Sequence, residues 1–525
     1  MTVARPDILL VMADQLAPSA LPVYGHPLTK TPAISALAGS GVVFDAAYTA
    51  SPLCAPARAS LLTGLLPSRT GVYDNAAEFG AAIPTFAHHL RSAGYRTVLA
   101  GKMHFCGPDQ LHGFEERLTT DIYPADFGWT PDWAHPERRP DWYHDMSSVL
   151  TAGPCLRSNQ LDFDEEVSFA AERSLFAHLR SRDPRPFCYV VSFTHPHDPF
   201  TISQPWWDLY DGADIPMPGT GRQAPLHPRE QRLRAMYQAD AVPVTQAQVA
   251  AARRAYFGAV SYVDDRIGRL LRILEATGRI GNTVVIVTSD HGEMLGEHGA
   301  WYKMSCYENS IRVPLIVSGP RWFKPGRVAE PVSAMDLMPT LTELGAQTGS
   351  EPVTGPLDGR SLLPLLTGTA GRPDGAESPP VAAEYLAEGA IAPIVMLRSG
   401  RYKFVHSPGD PDQLFDLAAD PGEQTDLAAD PAAAAVVAGF RDQVAERWDL
   451  ARLDEQVRLS QRQRQAVGAA LGTGTRQHWD YAPPYDAAHR YIRAHLPLGD
   501  LELMARYPPA GPGSPLDEPA GDVSH

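Results

Sequence analysis

The sequence predicts an α/β protein. We expect a large domain with a mainly parallel, mixed sheet between helices, and a small C-terminal α+β domain with an antiparallel sheet. Strand-like runs separated by a long amphipathic helix predict the first domain, because strands that alternate with helices form parallel sheets covered on both faces. Short strands between turn signals after residue 380 predict the C-terminal domain.

Four runs supply the expected parallel strands. Residues 8–13 are wholly apolar, and residues 187–193 and 283–288 are rich in β-branched and aromatic side chains, as buried strands are. Residues 97–100 form a shorter candidate. Between the strands expected at 187–193 and 283–288, apolar residues at spacings of three and four over 256–274 predict a helix that buries one face.

The rest of the chain divides by composition. Residues 119–154 hold many tryptophans, tyrosines and prolines without a period, which indicates a long ordered loop over a site. A Gly-, Pro- and Ser-rich stretch predicts a boundary, so we assign a large domain to 1–370 and a small C-terminal subdomain to 371–470. The tail spans 471–525, and we expect its last part to be disordered.

Within the small subdomain, short strands are expected at 381–385, 394–397 and 402–405. A helix is expected at about 432–450. The strands lie close together between turn signals, which is typical of a small antiparallel sheet.

Composition excludes several classes of protein. The 525 residues are 44% hydrophobic and 20% charged, which excludes wholesale disorder. The net charge of −16 argues against nucleic-acid and anionic-membrane partners. No run approaches the ~20 apolar residues of a membrane span, and the first apolar run is too short for a signal peptide. Five scattered cysteines without metal-like spacing favour a reducing compartment, so we expect a cytoplasmic protein.

Polar residues follow two of the predicted strands. Asp14 comes directly after the first strand, and Asp290 and His291 follow the strand at 283–288. Ligands of parallel sheets gather at the carboxyl ends of strands, so these side chains form a candidate divalent-metal site. Carboxylates suit Ca²⁺, Mg²⁺ or Mn²⁺, and an imidazole favours transition metals. The alternative is that Asp14 caps a turn and residues 290–291 form another turn.

A cysteine begins a helix-like segment in SPLCAPARASLLTG, residues 51–64. The free amides and positive dipole at a helix N-terminus favour an anion, and Arg58 adds a forked cation suited to tetrahedral oxyanions. Cys54 would then be a nucleophile inside an anion site. A buried structural cysteine is the alternative. The Cys-x-Pro-x-Arg arrangement favours the anion site.

These segments resemble the sulfatase family. CAPARASLLTG resembles the family signature, whose cysteine is converted after translation to formylglycine. GKMH (101–104) and SDHGEMLGEHG (289–299) resemble two further motifs in the family's order. Runs at 64–79, 101–132 and 192–200 are similar to the choline-sulfatase branch, and the resemblance extends from about residue 5 to residue 508. It implies the sulfatase fold of the alkaline phosphatase superfamily and hydrolysis of choline-O-sulfate to choline and sulfate.

The resemblance implies a covalent mechanism. In the family the aldehyde is hydrated to a gem-diol, one hydroxyl attacks sulfur, and the second expels sulfate from the covalent hemiester. Residue 54 would be the nucleophile and a metal ligand, and Asp14, Asp290 and His291 would complete the shell of one divalent metal. Gln15 and His291 depart from the Asp-Asp and Asp-Asn pairs of arylsulfatases, which leaves Ca²⁺ and Mn²⁺ both open.

The same motifs imply the other catalytic residues. Arg58 would steady the diol. Lys102 and His104 would hold the sulfate, with His104 placed to deprotonate the second hydroxyl. His197 and Lys303 would bind sulfate oxygens and assist the leaving alcohol.

Recognition of choline requires a different surface. A quaternary ammonium donates no N–H hydrogen bonds and is held by aromatic faces and carboxylates. The resemblance places Trp129 against it, although Trp129 by itself is equally a packing residue. Asn75 would touch either end of the substrate. The negative charge would come from Glu388, Glu384 or Asp500, the last from a neighbouring subunit.

Partners and competing functions follow from this assignment. We expect a small sulfate ester as substrate, a formylglycine-generating enzyme for maturation, and a homo-oligomer, either dimer or tetramer. One alternative is a phosphonate monoester or phosphodiester hydrolase on the same scaffold. Others are a catalytically silent choline- or sulfate-binding homologue whose Cys54 is never converted, and an acidic scaffold that binds neither metal nor sulfate.

Overall fold

The computed structural model describes residues 5–140, 142–181, 183–221, 225–346, 355–369, 379–475, 478–487, 490–491, 497–499, 502 and 506–508. Its strands are β1 (Asp7–Asp14), β2 (Val42–Tyr48), β3 (Arg96–Gly101), β4 (Glu116–Arg117), β5 (Gly153–Cys155), β6 (Phe187–Pro196), β7 (Thr201–Ser203), β8 (Thr283–Ser289), β9 (Arg312–Ser318), β10 (Gly326–Val328), β11 (Val332–Ser333), β12 (Val381–Tyr385), β13 (Ile394–Ser399), β14 (Tyr402–Ser407) and β15 (Asp410–Asp416).

The α-helices of the described residues are α1 (Pro32–Ser40), α2 (Cys54–Thr63), α3 (Pro67–Thr70), α4 (Phe86–Ser92), α5 (Ser147–Leu150), α6 (Asn159–Arg180), α7 (Gln204–Asp208), α8 (Pro228–Met236), α9 (Gln246–Ala276), α10 (Glu308–Ile311), α11 (Leu337–Gly345), α12 (Leu363–Leu366), α13 (Ala434–Arg447) and α14 (Leu450–Leu471). Short 3₁₀ turns lie at Pro18–Ala20, Pro22–Tyr24, Ile280–Asn282, Glu297–Gly299, Ala334–Asp336 and Pro431–Ala433.

The large sheet is mixed and mainly parallel, as predicted. Its order is β10-β2-β9-β8-β1-β6-β3-β4, and β11 also pairs with β2. Strands β1, β3, β6 and β8 run parallel, whereas β9 is antiparallel to both β2 and β8. The four parallel neighbours therefore bring their carboxyl ends to the same edge of the sheet.

Helices cover both faces of this sheet. Alternate residues of β1 point to opposite sides, so Leu9 and Val11 pack with α1, α6 and α9, whereas Ile8 and Leu10 pack with α2, α4 and α11. Helix α9 contains the predicted 256–274 segment and is longer at its N-terminal end, where Thr245 forms a capping box with Gln248. Two apolar layers thus hold the sheet and position α2 at its carboxyl edge.

The antiparallel sheet of the C-terminal region has the order β12-β13-β14-β15. Three of its strands match the predicted ones, and β15 is an addition. Helix α13 packs Val437, Phe440 and Val444 against this sheet. The predicted domain boundary at 370–371 lies outside the described residues, so the division of the chain stays a prediction.

The helix predicted at about 432–450 is confirmed as α13, which the extended backbone of Trp448 ends. A further helix, α14, was not predicted; it begins where the Asp449 side chain accepts a hydrogen bond from the backbone N–H of Arg452. Helix α14 then continues to Leu471. Among the described residues, the search for a helix of membrane-spanning length and hydropathy found none.

Candidate active site

The parallel strands deliver polar side chains to one edge of the sheet. Asp14 ends β1, Asp290 and His291 follow β8, and Lys102 follows β3. All four side chains are buried, with at most 1% of the residue exposed. Buried charges need partners, so this edge has to be a paired cluster or an ion site.

Cys54 is the first residue of α2 and lies inside this cluster. Its Sγ is 3.2 Å from His291 Nε2, and Lys102 Nζ lies 3.6 Å away. The next amide, that of Ala55, donates to Asn75 Oδ1 at 2.9 Å, which satisfies one of the free N–H groups of the helix N-terminus. The remaining field of that terminus favours negative charge on residue 54.

The positive side chains around Cys54 control its ionisation. Burial alone would raise the pKa of the thiol, but the charges of Lys102, Lys303 and His291 outweigh burial and hold that pKa well below its usual range. His104 lowers the pKa further through a hydrogen bond to the thiol. Residue 54 therefore lies in a site built to stabilise an anion.

The geometry also fits a metal ion. Asp14, Cys54, Asp290 and His291 each offer one ligand atom, and these atoms all lie within 4.8 Å of one another. Asp14 Oδ1 is buried and has no hydrogen-bond partner among the described residues. Two carboxylates, a sulfur or oxygen at position 54 and an imidazole form a donor set suited to a divalent cation.

Arg58 is bound to the candidate ligands. Its Nε donates to Asp290 Oδ2 at 2.8 Å, its Nη1 donates to Ser192 Oγ at 2.8 Å, and its Nη2 lies 3.9 Å from Asp14 Oδ2. Lys102 Nζ donates to the same Asp14 oxygen. Burial raises the pKa of the Asp290 carboxyl, but the charges of Arg58 and His291 outweigh it and lower that pKa. The Asp290 carboxylate thus stays ionised.

The backbone of His104 is held in an unusual conformation. Its φ is 56°, in the left-handed region that side-chain-bearing residues rarely adopt. Asp121 Oδ2 accepts hydrogen bonds from the amides of Met103 and His104, both at 2.9 Å, and pairs with Arg117 at 2.7 Å. These contacts fix the direction of the His104 imidazole, and Asp121 was not identified from sequence.

A second cluster of polar side chains adjoins the first. Lys303 Nζ donates to Gln15 Oε1 at 2.7 Å and contacts His197 Nε2. Asp198 Oδ1 is 3.2 Å from His197 Nδ1, and its Oδ2 is 3.3 Å from His144 Nδ1. Burial raises the pKa of Asp198, but the charges of His144 and His197 outweigh it and lower that pKa. Asp198 therefore stays ionised between two imidazoles.

His195 does not join His197. Its Nδ1 is 2.7 Å from Asp164 Oδ2, and its ring packs against Tyr262, 5.2 Å between centroids. His195 is therefore not part of the candidate site. The Asp164 carboxylate, which also accepts the amides of Thr194 and His195, fixes the His195 side chain against α6.

Aromatic rings form a wall beside these polar side chains. Tyr123 lies under Lys102 Nζ, 4.3 Å from the ring centroid, and Trp129 lies 5.1 Å from Tyr123 and 5.7 Å from His104. Trp142 stacks on Trp129 at 5.4 Å. The aromatic loop predicted at 119–154 thus reaches the candidate sulfate residues, although only Trp129 was predicted as a site residue.

The three candidate carboxylates have different surroundings. Glu384 accepts hydrogen bonds from Ser68 and from Trp448 Nε1, so it is already paired and not available to a ligand. Glu388 is buried and its Oε2 has no hydrogen-bond partner among the described residues. Burial raises the pKa of Glu388 to about 8, and the charges of Lys303 and Cys54 also act on it. Asp500 lies outside the described residues.

The comparisons with known proteins agree with this geometry. The family model described as Sulfatase matches residues 6–346. The chain belongs to the sulfatase family. Two C-terminal models also match: Choline sulfatase enzyme C terminal at residues 455–507, and N-sulphoglucosamine sulphohydrolase, C-terminal, at residues 296–449. This sulfatase is therefore a member of a family of sulfuric ester hydrolases.

Two curated relatives and one solved structure show which members of the family the chain resembles. The chain is 46% identical to a choline-sulfatase of Rhizobium meliloti over 97% of this chain and 99% of that protein. It is 30% identical to an arylsulfatase of Clostridium perfringens over 65% and 74% of the two chains. Among solved structures, the phosphonate monoester hydrolase of Agrobacterium radiobacter superimposes with a TM-score of 0.67 at 27% identity, covering 86% of this chain and 96% of that one.

Proposed function

We propose that this sulfatase hydrolyses choline-O-sulfate to choline and sulfate. The observation that carries the proposal is that two unlike groups of side chains lie around residue 54. One group is cationic, Lys102, Lys303 and His291, and is suited to a sulfate group. The other consists of Trp129, whose ring lies 5.7 Å from that of His104, and Glu388, a buried carboxyl with an unpartnered oxygen on which the charges of Lys303 and residue 54 act, and it is suited to a quaternary ammonium. The 46% identical choline-sulfatase supports the same substrate.

We infer that residue 54 is converted to formylglycine by a formylglycine-generating enzyme and that one divalent metal, Ca²⁺ or Mn²⁺, binds beside it. Asp14, residue 54, Asp290 and His291 would hold the ion, whose charge favours an ionised oxygen nucleophile near neutral pH. Arg58 and Lys102 limit the repulsion between the two carboxylates before the ion binds. Arg58 therefore prepares the metal shell as well as the nucleophile.

The other side chains would have separate roles around the sulfate. The charges of Lys102 and Lys303 both act on residue 54, and these side chains would bind the sulfate oxygens and stabilise the transition state. His104, fixed by Asp121, would accept the proton released when sulfate is expelled. His197, in contact with Lys303 and oriented by Asp198, would give a proton to the leaving alcohol oxygen.

The choline end would rest on Trp129 and face Glu388. Asn75 is committed to the Ala55 amide through Oδ1, which leaves its amide nitrogen for the substrate. We propose that Asp500 completes this end from a neighbouring subunit of a homo-oligomer. The scattered cysteines are those expected of a cytoplasmic enzyme.

Turnover of purified protein tests the proposal. We expect kcat/KM for choline sulfate to exceed that for an aryl sulfate and for a phenylphosphonate monoester. A higher value for the phosphonate ester would favour the second candidate, a phosphonate monoester hydrolase, which the structural neighbour supports. The intact mass of the peptide that spans Cys54 provides an independent readout. Loss of sulfur and two hydrogens with gain of one oxygen would identify formylglycine, and an unmodified thiol in active enzyme would contradict it.

A further inference from the structure

One face of helix α14 contacts the wall of the active site. Arg458 Nη1 donates to the carbonyl of Trp133, Gln461 Oε1 accepts the Trp133 amide, and Gln465 Nε2 donates to the carbonyl of Pro131. These contacts attach α14 to the segment 130–133, which directly follows Trp129. A C-terminal helix therefore supports the loop that carries the candidate choline-binding ring.

Arg464 lies at the centre of this face. Its Nη1 and Nη2 each donate to one oxygen of Asp74, both at 2.7 Å, and Nη1 also donates to Thr130 Oγ1 at 3.2 Å. The side chains of Arg464 and Asp74 are 7% and 0% exposed. A bidentate ion pair shielded from water is both strong and directional.

The partners of Arg464 adjoin both ends of the proposed substrate site. Asp74 immediately precedes Asn75, whose Oδ1 accepts the Ala55 amide beside the nucleophile position. Thr130 immediately follows Trp129, the ring against which choline would lie. One guanidinium thus joins the chain segment at the sulfate end to the segment at the alcohol end.

We propose that Arg464 is a positioning residue that sets the distance between the Asn75 and Trp129 segments and so determines selectivity for the small cationic alcohol. This inference rests on the proposed choline-sulfatase function. Arg464 touches no reacting atom, and it acts through Asp74 and Thr130. Loss of the guanidinium removes the link between Thr130 and Asp74 and leaves a buried carboxylate without its partner.

If the Arg464–Asp74 ion pair had a structural role only, the kinetic result would differ. A structural pair would change the folded fraction and lower the apparent rates on all substrates equally. A positioning residue changes KM for the substrate that uses the Trp129 wall and leaves the sulfate chemistry nearly intact.

The test compares Arg464→Gln with wild type on choline sulfate and on an aryl sulfate. We expect KM for choline sulfate to rise at least ~10-fold, with kcat and the aryl-sulfate kcat/KM within ~3-fold of wild type. Arg462→Gln is the matched control, because Arg462 is exposed on the same helix and carries the same charge. It should behave as wild type on both substrates.

Two further variants test the route through Asp74. Asp74→Asn should reproduce the KM change, and the double variant Asp74→Asn/Arg464→Gln should add little to either single change, since both remove one interaction. Arg464→Lys keeps the charge but cannot span both Asp74 oxygens and Thr130, so its KM should be intermediate. If a thermal melt shows that Arg464→Gln is not folded, Arg464→Lys takes its place in the test.

Several results would overturn the proposal. An unchanged KM, equal losses on both substrates, or fully additive effects of Asp74→Asn and Arg464→Gln would each assign Arg464 a structural role only. Wild-type protein that does not hydrolyse choline sulfate would refute the proposed function, and this inference with it. Active wild type with an unaffected Arg464→Gln variant would refute this inference alone.

Discussion

Glu388 should make choline binding depend on pH. Its side chain is buried, Oε2 has no hydrogen-bond partner among the described residues, and burial raises its pKa to about 8, with the Asp74 charge acting in the same direction. Below pH 8 most of the carboxyl is protonated and neutral, and above pH 8 it is ionised. A quaternary ammonium interacts favourably with the ionised form, so affinity for choline should increase as pH rises.

The size of the effect follows from the ionised fraction. With a pKa of about 8, roughly 9% of Glu388 is ionised at pH 7 and roughly 91% at pH 9, and the apparent dissociation constant scales inversely with that fraction. The inhibition constant of choline should therefore fall about 10-fold between pH 7 and pH 9, which corresponds to ~1.4 kcal/mol.

Competitive inhibition by choline, with an aryl sulfate as reporter substrate, measures this constant directly at each pH. Other groups that titrate over this pH range change kcat and KM of the aryl sulfate itself. Their effect is thereby separated from the effect of pH on choline binding. In Glu388→Gln the inhibition constant should be independent of pH over this interval and weaker than wild type at pH 9. A flat profile in wild type, or the same slope in Glu388→Gln, would refute the assignment of Glu388 to the ammonium.

Four other predictions concern the nucleophile, the aromatic wall, the metal and the packing of the C-terminal sheet. Cys54→Ala should abolish turnover of every ester while the thermal melt stays cooperative, and residual turnover near wild type would rule out a covalent mechanism at residue 54. Trp129→Ala should lower kcat/KM for choline sulfate about 30-fold, the equivalent of ~2 kcal/mol for a desolvated cation–π contact, and equal loss on an aryl sulfate would remove Trp129 from the choline site. Dialysis against a chelator should abolish activity and release a divalent ion measurable by elemental analysis, and full activity in metal-free protein would contradict the metal assignment. Lys403→Met should lower the free energy of unfolding by ~3–5 kcal/mol in urea titrations, because it removes the buried ammonium that pairs with both Glu308 and Glu423, and a change below ~1 kcal/mol would show that the ion pairs contribute little.

Much of the site could be predicted from sequence because its residues are attached to predictable elements. Asp14 ends one strand and Asp290 directly follows another, and parallel strands must bring their carboxyl ends together. Cys54 could be placed at a helix N-terminus from the local apolar pattern. The fold class, the convergence of the two aspartates and the helix start at Cys54 therefore followed from short-range patterns, whereas Lys102 was identified through the family resemblance.

Other assignments needed contacts that the sequence does not encode locally. Glu384 and Glu388 are four residues apart and look equivalent, yet Ser68 and Trp448 bind the first, whereas the second keeps a carboxylate oxygen without a partner. His195 and His197 are two residues apart, yet Asp164 of α6 fixes His195 away from the Lys303–His197 contact. Each outcome depends on a partner brought in by a different element.

The sequence by itself determined the α/β architecture, the candidate nucleophile position and the candidate metal-ligand set, since these depend on periodicity, on residues next to strand ends and on the family motifs. Only the tertiary structure decided which carboxyl stays unpartnered and how the aromatic wall is held. The pairing of Arg464 with Asp74 joins residues 390 positions apart. No local pattern distinguishes Arg464 from the other arginines of α14, because its role arises from packing of that helix against a distant loop.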